Sequence, residues 1–135
     1  MGEESMTLRT LIATLKLALA ESEKNSSDPY VYFDFCNAFP LLHVGSSRCY
    51  YERPAVDWDV NRRHTDAKNQ PPKLADFLSL LEDSIGKPIT GYKGGDYTIQ
   101  ERHPLHVDGY GECTSTVVSG VQNKGWCIIL ETETY

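Results

Sequence analysis

The sequence predicts an α+β domain: an antiparallel or mixed sheet of about five to six strands with two helices on one face. Three observations carry that reading. Two segments repeat apolar residues at intervals of three and four, the period of a helix with one buried face. Several short segments rich in β-branched and aromatic residues alternate at two instead. Glycine, proline and asparagine clusters punctuate the chain between them. Residues 1–135 are read as a single domain, long enough to bury a core without disulfide or metal staples.

The elements follow in order. Thr7 is the N-cap of a first helix whose stripe is Leu8, Leu11, Ile12, Leu15, Ala18 and Leu19, running to about Glu23. Leu17 lies off the stripe. A polar exit follows, and Pro29 stops any further helix. Tyr30 to Cys36 reads as a strand, with Val31, Phe33 and Phe35 on one face and Tyr30, Tyr32, Asp34 and Cys36 on the other. Asp34 is then either a solvated strand carboxylate or an acceptor in a tyrosine-lined groove. Residues 37–47 are expected to be a partly packed loop, and residues 48–60 one strand interrupted at Pro54.

Residues 61–72 are the most polar stretch and read as an exposed loop. Pro72 suits the first turn of a second helix with the stripe Leu74, Phe77, Leu78, Leu81 and Ile85, closed by Gly86. Short strands are expected at Tyr97–Ile99 and Leu105–Val107, with a turn at Gly109–Gly111. Thr114–Val121 and Trp126–Thr132 read as a hairpin pair joined through Gln122–Gly125. Residues 131–135 alternate acid and β-branched side chains and suit an exposed edge strand guarded by charge, a route to pairing with a second copy.

The net charge of −6 argues against non-specific nucleic-acid binding, which requires a basic face. No apolar run is long enough to span a bilayer, so no membrane partner is expected. The cysteines at 36, 49, 113 and 127 form no Cys-x-x-Cys pair, and no signal peptide is legible. A reduced cytosolic protein with no metal and no cofactor is the expectation.

Catalytic chemistry is thinly represented. His103 and His106 are three apart, but Pro104 keeps them extended and on opposite sides. Cys49 and Cys113 have no histidine within reach in sequence, and Asp57 and Asp59 read as solubilising strand acids. Binding chemistry is better represented. Arg48, Tyr50 and Tyr51 place a guanidinium fork beside two rings. Ile89–Ile99 clusters glycines whose backbone N–H groups can face an anion, with Lys93 as a point charge. Tyr92 and Tyr97 can wall the same place, and Gly94 and Gly95 supply backbone donors. The competing reading of this stretch is a tight strand-to-strand turn.

Phe33-Asp34-Phe35, Ser46-Ser47-Arg48-Cys49-Tyr50-Tyr51, the leucine-rich helix and Gly91-Tyr92-Lys93-Gly94-Gly95-Asp96-Tyr97 together resemble a family of small accessory proteins of tailed bacteriophages. The resemblance spans most of the chain. Ser47 and Cys49 depart from the family pattern, which has Tyr and Gly there, and put the shape of that first turn in doubt. The resemblance implies expression in the host bacterial cytoplasm and brings no activity. The leading expectation is a non-enzymatic binder that counters host defence by sequestering a small anionic, nucleotide-derived signalling molecule through Arg48, Tyr50, Tyr51, Tyr92, Lys93, Gly94, Gly95 and Tyr97. The alternatives are direct inhibition of a host defence protein through a tyrosine-rich acidic surface, and a hydrolase of a similar ligand using His103, His106 or an acid.

Overall fold

The computed structural model describes residues 6–35, 38–46, 53–60, 70–91, 95–108 and 116–134. In chain order these form α1 (Leu8–Lys24), β1 (Tyr30–Phe33), β2 (Ala38–Ser46), β3 (Pro54–Val60), α2 (Leu74–Ser84), β4 (Pro88–Thr90), β5 (Asp96–Thr98), β6 (His106–Val107), β7 (Thr116–Asn123) and β8 (Cys127–Thr134). A six-stranded mixed sheet has the order β1-β8-β7-β6-β3-β2, and β4 and β5 form a separate two-stranded sheet. β1 runs parallel to β8 and β3 parallel to β6; the other neighbours are antiparallel. The two edge strands, β1 and β2, lie against each other, since only residues 34–37 join them.

α1 begins where Thr7 caps it. The Thr7 hydroxyl accepts from Thr10 N at 3.3 Å. Two further first-turn donors are met from outside the helix: Leu8 N donates to His103 O at 2.8 Å and Arg9 N to Glu101 O at 3.0 Å. The buried stripe Leu8, Leu11, Leu15 and Ala18 packs with Phe77 and Leu81 of α2 over Val31, Val56, Val118, Ile128 and Leu130 of the sheet. Both helices thus share one core on one face, as the spacing predicts.

Four expectations are corrected. Ala38–Ser46 is a strand, not a loop. It occupies a sheet edge, where the missing N–H of Pro40 is tolerated, and its pairing with β3 shifts register between Pro40 and Val44. β8 is not an edge. Residues Cys127 to Leu130 pair with β1 on one side and β7 on the other. Pro72 precedes α2 rather than sitting in its first turn. Lys73 is the extended cap residue, because Tyr30 and Lys73 form a bridge that fastens the helix entry to β1. β1 ends at Phe33, and Asp34 then turns its carboxylate onto β8: Thr132 N donates to it at 2.9 Å and Thr132 Oγ1 at 2.6 Å. Asp34 is therefore a structural acceptor that adds one more rung to the β1–β8 ladder.

Candidate functional site

The glycine-rich stretch is carried by two antiparallel strands, β4 and β5. Ile89 pairs with Tyr97 and Thr90 with Asp96, and the Thr90 hydroxyl donates to Asp96 Oδ1 at 2.9 Å. Gly91 N donates to Gly95 O at 2.7 Å, closing the two arms. A Cβ on Gly91 would stand 3.0 Å from that same carbonyl, a tight contact that glycine avoids. Gly95 is exposed, with open space where a side chain would go. Tyr92, Lys93 and Gly94, between these arms, lie outside the described residues.

Tyr97 is 9% exposed and belongs to the hydrophobic core. Its ring meets His103 edge to face at 5.9 Å, and its hydroxyl donates to Ser46 Oγ at 3.0 Å. Its part in a site is thus to hold position rather than to offer a face for stacking. Ser46 is the last residue of β2 and directly precedes residues 47–52. Arg48, Tyr50 and Tyr51 are in that segment, outside the described residues. The bond therefore joins the attachment points of the two candidate segments, which are far apart in sequence. No residue pattern signals a contact of that kind, and sequence reading missed Ser46.

The histidines serve the fold. His103 Nδ1 accepts from Gln100 N at 3.0 Å while its backbone carbonyl caps α1. His106 lies in β6 opposite Ala55 and is 2% exposed. Burial first, then the positive charge of Arg53, lowers its pKa to about 4, so its imidazole is neutral at pH 7. A further pair, His43 Nδ1 and Asp57 Oδ2 at 3.0 Å, crosses from β2 to β3 on an exposed face. Asp57 is thus a hydrogen-bond partner of His43. Among the described residues, no three His, Cys, Asp or Glu side chains gather as metal ligands. Cys127 is buried as a free thiol, with its pKa raised by burial. No helix among the described residues is long and apolar enough to cross a membrane.

Fold and site together define a small α+β protein in which a two-stranded glycine hairpin is tied to the edge of a mixed sheet. No family model matches the chain, and no curated protein or solved structure is significantly similar to it.

Proposed function

We propose that this protein is a non-enzymatic binder that captures a small anionic molecule, nucleotide-derived, between the segment carrying Arg48, Tyr50 and Tyr51 and the segment carrying Tyr92, Lys93 and Gly94. The observation that supports the reading is the Tyr97–Ser46 hydrogen bond, which ties the residue preceding the first segment to the hairpin strand that follows the second. Arg48 and Lys93 would supply positive charge in a chain that is otherwise acidic, and the tyrosines flat faces for a base. The resemblance to phage accessory proteins supports a role in the host bacterial cytoplasm as a counter to host defence. Native mass spectrometry of protein purified from a bacterial host tests capture directly. A bound mass of nucleotide size, lost in Lys93→Ala and Arg48→Ala, is expected. A bare protein, together with no thermal shift for any mono-, di- or cyclic nucleotide, sinks the reading.

A second reading, inhibition of a host protein, is favoured by one specific feature. Trp126 is 69% exposed, 6.4 Å from the ring of Tyr32 in an edge contact, with Tyr30 two residues along the same strand face. Exposed Trp and Tyr of this kind anchor protein interfaces. A complex lost in Trp126→Ala but kept in Lys93→Ala would move the function to this face.

A further inference from the structure

The inner face of the sheet changes character along its strands. In β8, Ile128 and Leu130 fill the core, and the same face continues as Thr132 and Thr134. In β7, Val118 is core and Thr116, two residues away, shares its face. In β3, Val56 is followed on that face by Trp58. Apolar packing thus gives way to hydroxyls and an aromatic ring at one end of the sheet. A cavity of about 320 Å³ opens there, lined by Phe35, Trp58, Val107, Asp108 and Thr116, Thr132 and Thr134. Its size falls within the range of small-molecule sites.

The lining restricts the occupant. Trp58 is held in place, its Nε1 donating to Asp108 O at 2.6 Å and its ring meeting Phe35 at 87° and 5.1 Å. The Thr132 hydroxyl spends its proton on Asp34, which leaves its lone pairs to accept. Thr134 shares one hydrogen bond with Thr116 at 2.9 Å and keeps acceptor capacity as well. Among the described lining residues there is no lysine or arginine, and Asp108 adds a carboxylate, so these residues do not match an anion. An aromatic floor with a rim of acceptors suits an uncharged ring that carries several O–H donors.

We infer that this cavity is a binding site for a neutral saccharide ring, seated on Trp58 with its hydroxyls on Thr132 and Thr134. The cavity lies at the opposite end of β2 and β3 from Ser46: Trp58 pairs with Pro40, whereas Ser46 pairs with Pro54. The inference therefore stands or falls independently of the proposed function.

The chain has two tryptophans, so Trp126→Phe leaves Trp58 as the sole indole reporter. That variant is titrated with glucose, galactose, N-acetylglucosamine, lactose and cellobiose, and with AMP and spermidine as charged comparators. A saturable change in Trp58 emission with at least one sugar is expected, weakened about fivefold by adding Thr134→Val, the loss of one neutral hydrogen bond. In the unaltered protein the methyl resonances of Thr132 and Thr134 should shift with the same sugar and the same affinity. Silence with every sugar, saturation by AMP or spermidine alone, or threonine methyls that stay put while the emission changes would each overturn the assignment.

Discussion

The Tyr97 hydroxyl donates to Ser46 Oγ at 3.0 Å across 51 residues of sequence, tying the glycine hairpin to the end of β2. Its neighbourhood is largely apolar, since Tyr97 packs in the core with its ring edge on His103. Both residues are partly or fully buried, so the bond is shielded from solvent exchange.

Tyr97→Phe keeps the ring and removes the bond. It should cost about 1 kcal/mol in chemical denaturation, the net worth of one shielded neutral hydrogen bond. Ser46→Ala should cost a similar amount, and a double-mutant cycle should show the two losses to be non-additive. If the anion site spans both segments, Tyr97→Phe also weakens nucleotide binding more than its stability loss alone accounts for. Additive losses in the cycle would mean that the two groups act separately.

His106 sets an acid limit on the fold. Its folded pKa is about 4 against 6.5 in the unfolded chain, because burial and then Arg53 disfavour the imidazolium. Between those values the unfolded chain binds a proton that the folded chain does not, so stability is fully present above pH 6.5 and falls as pH drops toward 4. The loss from this group is on the order of 2 kcal/mol after discounting for residual solvent screening. Urea midpoints measured across that window should fall in the unaltered protein and fall less steeply in His106→Gln. Parallel slopes in the two proteins would remove His106 from the account.

Much of this architecture was legible, for reasons that differ by element. Leu8, Leu11 and Leu15 recur with helical period, and a helix buries the face its own spacing defines, so α1 could be read within a residue of each end. In α2 the spacing of Leu74, Phe77, Leu78 and Leu81 identifies the buried face, but Pro72 points to a start earlier than the observed Leu74. Strand order could not be read in this way. Pairing of β1 with β8 joins residues 97 apart in sequence, and nothing in Cys127-Ile128-Ile129-Leu130 distinguishes an outer strand from one flanked on both sides. β2 was hidden by Pro40 and by its lack of polar alternation, both of which an edge position with a register shift accommodates. The candidate site was legible only as two compositions, Arg48-Cys49-Tyr50-Tyr51 and Tyr92-Lys93-Gly94-Gly95. What relates them, Ser46 under Tyr97, is a tertiary contact between a small polar residue and a core tyrosine, and neither carries a local signature.

Asp34 offers a sharper test of the β1–β8 edge. Its two carboxylate oxygens accept from Thr132 N and Thr132 Oγ1, taking the place of the next backbone carbonyl after Phe33. Asp34→Ala should destabilise by about 1–2 kcal/mol, since two hydrogen bonds to a charged acceptor are lost but the site is open to water. Asp34→Asn, which keeps one carbonyl acceptor, should recover roughly half. Amide exchange at Thr132 is the local readout. It should quicken in Asp34→Ala, while Ile129 and Leu130, paired with β1 backbone, stay protected. Uniform loss of protection would show that Asp34 supports the whole sheet rather than one rung.

The end of α1 carries a residue in the wrong conformational class. Ser26 has φ of +53°, the left-handed region that glycine occupies without cost. The geometry is that of a Schellman closure: Ser26 N donates to Glu23 O at 3.2 Å and Ser27 N to Ser22 O at 2.8 Å. The backbone conformation is thus required by the cap, and the serine side chain meets it with strain. Ser26→Gly relieves that strain but gives the unfolded chain more freedom to lose, so the net gain should be about 0.5–1 kcal/mol. Ser26→Val, β-branched at the same φ, should instead lose more than 1 kcal/mol, by roughly the cost of forcing such a residue into that region. Thermal unfolding of the three proteins orders them Gly above Ser above Val. An order with Val above Ser would mean that the helix end is not held in this closure in solution.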